Sequence, residues 1–494
     1  MNPVPGPALY QAAGAFVAYL VLVVAIGVYA TRFSSTGVSA FFVGGRKMNR
    51  FVVALSAVVS GRSAWLLLGV TGLAYARGAS AVWAVVGYIV VELLLFLFYA
   101  RRLRRFSEAY DCVTVPDFFC ERFEDRSGRL RALLAGIILL FMVPYVSAQF
   151  VAGGKAFVSF GLPQVSGVWL TAVIVLAYTM LGGFLAVSLT DTLQACFMIV
   201  ALVVLPVVAI GAEGGLGAVL HQLVALDPTL VDPLAISAGA FLGFLGIGLG
   251  SPGNPHILAR YMSISDAEQL RWAAVVGTVW NVVMGWGALF IGLAGRVYFP
   301  DAAQLPGADK ENLYTQLAGQ LLHPVVFGLV IASVFAAIMS TADSQLLVAA
   351  SAVVRDLYEK VLRRGREVPQ EQLVKLSRLV VLLLVALAVL LGFVAKDLVF
   401  WLVLFAWAGL GAALGPTSIL ALYWRRTTLP GVVAGLLTGA VVTVVWNRTP
   451  ALKGLLYELI PAFLLSFLVT VVVSLLTRPP ATTDDAFRAM DGER

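Results

Sequence analysis

Charge is what this sequence has least of. Asp, Glu, Lys and Arg make up 12% of its 494 residues, about half the share of an average soluble domain. That scarcity excludes an ordinary globular enzyme. It also excludes a nucleic-acid-binding surface, although the formal net charge is +7. Cysteine is scarce too: Cys112, Cys120 and Cys196 cannot build a disulfide framework and fit no metal-ligand spacing. His221, His256 and His323 are too scattered for a zinc site. No basic start precedes the first apolar run, Leu9 to Ala30. That run is too long for a signal-peptide core and reads as a retained helix. No nucleophile–base pair or phosphate loop stands out, so no enzyme and no organic cofactor are expected.

What is there is apolar sequence. Hydrophobic residues make up 60% of the chain. Runs of spanning length recur near 9–30, 51–76, 79–100, 132–159, 166–187, 190–211, 233–255, 272–298, 324–352, 377–395, 400–424, 430–446 and 455–477. The fold class is therefore all-α and polytopic, with about thirteen membrane-spanning helices. Basic loops alternate with basic-poor ones. Arg32, Arg46, Lys47 and Arg50 lie in 31–50, eight arginines lie in 101–131, and Arg355 to Arg378 is basic again, whereas 212–232 has only Glu213, Asp227 and Asp232. The positive-inside rule then puts the N-terminus outside and the C-terminus in the cytoplasm, in a cytoplasmic membrane. The tail after Leu476 is short and polar and leaves no room for a soluble output domain. Two loop segments, Phe106 to Arg129 and Asp301 to Leu322, read as surface helices capping the inner and outer faces.

Two spans cannot be plain helices. In Ala57 to Ala74, Ser60-Gly61, Gly69 and Gly72 weaken the helix. Arg62 lies roughly 16 Å into that span at helical rise, near the bilayer middle, where a charge costs about 2.5 kcal/mol or more. The second, 233–262, contains GAFLGFLGIGLGSPGNPHILAR, whose glycines and two prolines stop a regular helix. Broken spans in corresponding positions of two halves point to a transporter site. Residues 51–212 then form one five-helix repeat and 233–424 the other. Five is odd, so the repeats are inverted. Residues 1–50 form a peripheral helix and loop, 430–477 two peripheral helices, and 478–494 the cytoplasmic tail.

At FVGGRKM, SAWLLLG (63–69), VPDFF (115–119), GGFLAVSLTDTLQA (182–195), GNPHILARYM (253–262), AAIMSTADSQLLV (336–348) and AWAGLGAALGP (406–416), the chain resembles the sodium/solute symporter family, most of all its bacterial sodium/proline symporters. The resemblance implies the leucine-transporter type inverted-repeat fold, alternating access and a small organic substrate at the broken helices. It implies a sodium site between Val59 and Arg62 of span two and Ala337, Ser340 and Thr341 of span nine. It implies a substrate site at Ser63, Gly69, Tyr145, Gln149, Ile247, Ser251 and Pro255. Of these, Ser63, Gly69, Tyr145 and Pro255 match the proline symporters. Ile247, Ser251 and Gln149 stand where those have tryptophan, tyrosine and glycine. In span two the symporters have Ser-Asp-Met-Ser-Gly-Trp, and this chain has Ser60-Gly61-Arg62-Ser63-Ala64-Trp65.

Arg62 has three readings. It stands in for the sodium ion against Ser340 and Thr341, vacating that site; it grips a substrate carboxylate; or it forms a structural ion pair with Glu92, Asp343 or Asp191. Glu92 is either that fixed partner or a proton carrier. Asp191, at the start of span six, reads as a helix cap, with a second sodium site as the alternative from relatives. Asp343 reads as structural. The amides after the break at Ser63 point their free N–H groups at a carboxylate-bearing substrate. Tyr145 and Gln149 share one face of span four. The expectation is a secondary transporter of a proline-like amino acid with sodium coupling lost at Arg62. The alternatives are sodium coupling at another site, proton coupling or exchange, and a non-transporting sensor. The expected partners are a small-molecule substrate and the lipid bilayer, with no nucleic acid and no obligate protein partner.

Overall fold

The computed structural model describes residues 6–31, 44–181, 184–364, 366, 368–394 and 398–493. Arg32 of the first basic loop, and Phe42, Val43, Gly182 and Gly183 of the strings quoted above, lie outside them. Among the described residues there is no strand, only one isolated bridge between Met48 and Ile264.

Ten helices are long and apolar enough to cross a membrane among the described residues. The longest stretch, Arg50–Ala109, turns at Gly78 and so supplies two spans. Gly78 has φ +62°, and a Cβ there would stand 2.2 Å from the Leu230 carbonyl oxygen, so the turn demands glycine. With the shorter span at 164–181 and the interrupted one at 238–263, the number reaches the expected thirteen. Apolar side chains such as Phe98, Val200, Val207, Leu383, Leu390 and Leu468 face outward. In a membrane protein such a belt meets lipid rather than water.

Both expected interruptions are present. Span two runs as Arg50–Ala64, a wider turn at Trp65–Val70, then Thr71–Arg77. Ser63 breaks it, with φ 51° and ψ −171°. A non-glycine residue there costs about 1–3 kcal/mol and persists only where neighbours hold it. Span seven runs as Ala238–Leu245, a tighter coil at Gly246–Gly253, then Pro255–Ser263. Its freed carbonyls find side-chain donors. Trp407 Nε1 donates to Ile247 O at 2.8 Å, Ser418 Oγ to Pro252 O at 3.3 Å, and Asn254 Nδ2 to Gly250 O at 2.8 Å. That satisfies a broken helix away from water. Spans seven and eleven can meet this closely because glycines face each other across the contact.

The basic-loop face is built, not merely tethered. The helix Val115–Arg122 is closed by a capping box between Thr114 and Asp117. Asp117 accepts from Arg131 NH1 at 2.6 Å and Arg355 Nε at 3.5 Å. Burial alone would raise its carboxyl, but the Arg355 and Arg131 guanidinium groups outweigh burial and hold it below the usual range. A depressed carboxyl contributes stability above its unfolded value of about 3.9 and loses it as pH falls through the folded value. Asp117→Asn should therefore lower the unfolding temperature in detergent at pH 7, and the gap to the parent should close as the pH is taken below about 4. The tail is also ordered: Thr483–Asp491 is a helix that buries Ala486, Phe487 and Met490. Arg102, Arg122 and Arg425 all stand over the Phe487 ring.

Candidate functional site

The two breaks lie on opposite sides of one small chamber. Gly61, Arg62 and Trp65 of span two line it. So do Tyr88 of span three, Tyr145 of span four, Ile247 of span seven, and Val403, Leu404 and Trp407 of span eleven. Its volume is about 10 Å³, room for a single water. Ile247 and Leu404 also wall a wider vestibule of about 700 Å³, which Gly69, Arg77, Phe400, Trp401 and Tyr457 help to line. Phe400 stacks on Trp65 between the two spaces, with ring centroids 5.6 Å apart. The position of Phe400 is fixed by a loop. Glu311 accepts the amides of Val399 and Phe400 at 2.9 and 2.8 Å, and Lys155 Nζ bonds Glu311 at 2.6 Å. The first turn of span eleven is thus held by a carboxylate at its positive end.

Arg62 is 1% exposed and Glu92 2%, and the two form a buried ion pair. Arg62 Nε donates to Asn281 Oδ1 at 2.8 Å, and Asn281 Nδ2 donates to Glu92 Oε2 at 2.7 Å. Three residues from spans two, three and eight thereby close a ring. The guanidinium lies over the Tyr88 face, 3.8 Å from its centroid, close enough for a cation–π contact. Among the described residues, Arg62 makes no ion pair or hydrogen bond to span nine. This corrects the expectation that the guanidinium stands in for a cation against Ser340 and Thr341. An acid one helix away binds it more strongly than neutral hydroxyls can, and turns it toward spans three and eight.

The span-nine oxygens face the span-two backbone instead. Thr341 Oγ1 donates to Ser60 O at 3.1 Å, Ser60 Oγ to Ser340 O at 3.0 Å, and Ser340 Oγ to Ala337 O at 3.2 Å. Val59, Ala337, Ser340 and Thr341 are all buried. These hydroxyl and carbonyl oxygens are hard ligands of the kind a small cation takes.

The amides after the break are not free, which corrects a second expectation. Gln149 Oε1 accepts Ala64 N–H at 3.1 Å, and Ser63 Oγ accepts Trp65 N–H at 3.1 Å. Gln149 thus ties span four to the break, and its Nε2 is left without a hydrogen-bond partner, as are Trp65 Nε1 and Tyr88 OH, among the described residues. A third correction concerns Asp191. Span six is helical from Phe184, so Asp191 is past its first turn and caps nothing. It pairs instead with Arg260 NH2 at 3.1 Å and accepts from Ser56 Oγ at 2.6 Å. Asp343 is buried beside its own helix, accepting Ser344 N–H at 2.5 Å.

The expected substrate residues divide. Tyr145 and Ile247 line the chamber, and Gly69 lies in the vestibule with Ile247. Ser63 and Gln149 hold the break. Ser251 is buried within span seven. Pro255 belongs to a small recess with Ala259, Arg260 and Ser344 on the basic-loop side of the break. Sequence reasoning missed Asn281, Arg260, Tyr88 and Trp407. Asn281 had a signal, a lone amide in the apolar run of span eight. Trp407 and Tyr88 had none that separates them from packing aromatics.

Known proteins resemble this chain in sequence and in fold. The family described as Sodium:solute symporter family matches residues 41–439. The osmoregulated proline transporter OpuE of Bacillus subtilis is 38% identical over 470 residues, covering 94% of each chain. A sodium/proline symporter of Staphylococcus aureus is 37% identical over 478 residues, covering 94% of this chain and 92% of its own. A Na+-coupled sialic acid symporter, solved in a substrate-bound outward-open state, superposes with a TM-score of 0.79 at 17% identity over 95% of this chain and 98% of its own.

Proposed function

The chain belongs to the sodium:solute symporter family, and on that premise we propose that it carries proline, or an amino acid of closely similar size, across the cytoplasmic membrane together with sodium. The observation that carries this reading is the closed chamber between the two broken spans. It is walled by aromatic rings and bears unpaired polar groups at Trp65 and Tyr88. A compact, partly apolar cargo with one carboxylate and one amine suits such a wall. The relatives named proline transporters support the cargo.

Sodium is supported by the oxygen set at Val59, Ala337, Ser340 and Thr341. A cation there would bridge the break of span two to span nine, and its departure would release span two. Coupling then follows because each ligand favours the conformation that the other needs. Residues 51–212 and 233–424 would move against each other as the two repeats, with the vestibule outside and the basic loops in the cytoplasm. In this reading the parting of Trp65 from Phe400 admits cargo, and the opposite recess opens to release it.

Purified protein in liposomes tests this. Labelled proline should accumulate when sodium is high outside and low inside, and exchange should proceed by counterflow. Thr341→Ala should raise the sodium concentration for half-maximal uptake by about tenfold, the loss of one good ligand, while proline affinity at saturating sodium changes little. Saturable proline binding with no flux would indicate a sensor, and uptake indifferent to sodium would remove the coupling ion from the reading.

A further inference from the structure

We infer that the Arg62–Glu92 pair sets the net charge that the chamber accepts: balanced within itself, it selects a zwitterion over ions of either sign. This rests on the chamber being the cargo site proposed above.

Arg62 is a wall of the chamber, and its counter-charge is behind it. Glu92 does not line the chamber, yet its carboxylate reaches the guanidinium. A Cβ on Gly61 would stand 3.5 Å from Glu92 Oε1 and 3.1 Å from Ile257 Cδ1. The tight approach is to Ile257 of span seven, and the span-three acid lies at ordinary contact distance. Asn281 then fixes both partners with one amide, donating to Glu92 and accepting from Arg62. No second acid competes. Asp191 is held by Arg260, and among the described residues Arg62 has no other carboxylate partner.

Two opposite charges held this closely look nearly neutral to a molecule in the chamber. Removing Glu92 leaves a full positive charge at the wall, and removing Arg62 leaves a negative one just behind it, in surroundings where water does not screen them. A wall left positive favours an extra negative charge on the cargo, and a wall left negative favours an extra positive one. A cargo whose own charges cancel gains from neither. Glu92 is thus a specificity-determining residue that never needs to touch the cargo, and Arg62 is its counterpart at the surface.

Three five-membered-ring compounds of similar size make the test: proline, uncharged overall; pyroglutamate, an anion; and prolinamide, a cation. Each competes against labelled proline for uptake into liposomes. The parent protein should be inhibited by unlabelled proline far better than by the other two. Glu92→Gln should improve pyroglutamate relative to proline by about tenfold, and Arg62→Met should do the same for prolinamide. The double variant, neutral again, should return to the parent order whatever its rate. It also serves if either single variant fails to fold. A Glu92→Gln protein that keeps the parent order overturns the inference, as does a double variant that admits either ion. A parent protein that takes up none of the three compounds overturns the proposed cargo instead.

Discussion

Arg62→Met is expected to destabilise the protein by about 3–5 kcal/mol, the cost of stripping one partner from a buried ion pair. Methionine fills much of the volume of the arginine stem, so cavity formation is a minor part of the loss. The larger part comes from Glu92. Its carboxylate is 2% exposed and would keep only the Asn281 amide as a donor. A second loss is the contact between the guanidinium and the Tyr88 ring. Adding Glu92→Gln should recover most of the stability, because a buried pair replaced on both sides often costs little. Chemical unfolding in detergent, followed by tryptophan fluorescence, gives the four corners of the double-mutant cycle. A coupling below about 0.5 kcal/mol would mean that the two residues act independently.

Gly253→Ala should nearly abolish transport. A Cβ at 253 would stand 2.3 Å from Leu410 O and 2.6 Å from the Gly411 Cα. Those are main-chain atoms, so no side chain can swing aside. The contact is mutual: a Cβ on Gly411 would meet the Gly250 Cα at 2.5 Å. Spans seven and eleven would have to separate by an ångström or more. Ile247, Leu404 and Trp407, which wall the chamber, ride on those two spans. A displacement of about 1 Å in a binding geometry can cost on the order of a hundredfold in rate. The measurement is initial proline uptake at matched protein in the membrane. Gly136→Ala is the control. Nothing lies within 4 Å of its Cβ position, and uptake should be unchanged.

Much of the architecture was legible in the sequence because a bilayer imposes lengths and penalties that a soluble fold does not. Apolar run length gave the spans, and Gly-Pro strings marked both breaks. Arg62 stood out because a charge at that depth demands an explanation. Its partner was harder to choose. Glu92 and Asp343 read as lying at similar depth, with Asp191 as a third candidate, and only the arrangement of helices decides among them. The structure gives Glu92 to Arg62 and Asp191 to Arg260. The two missed satisfactions share a cause. The amide of Ala64 is met from span four by Gln149, and Asp191 is met from span seven by Arg260. Local spacing carries no sign of an acceptor that arrives from 85 residues away or a donor from 69. The burial of Ser340 and Thr341 against span two fits the resemblance, but the direction of the Arg62 side chain was not legible.

The 10 Å³ chamber has a further consequence. A hydrated alkali ion is far larger than a single water, so it cannot enter without shedding its shell beside the Arg62 guanidinium, which repels it. A transporter closed in this way admits no hydrated ion at the chamber.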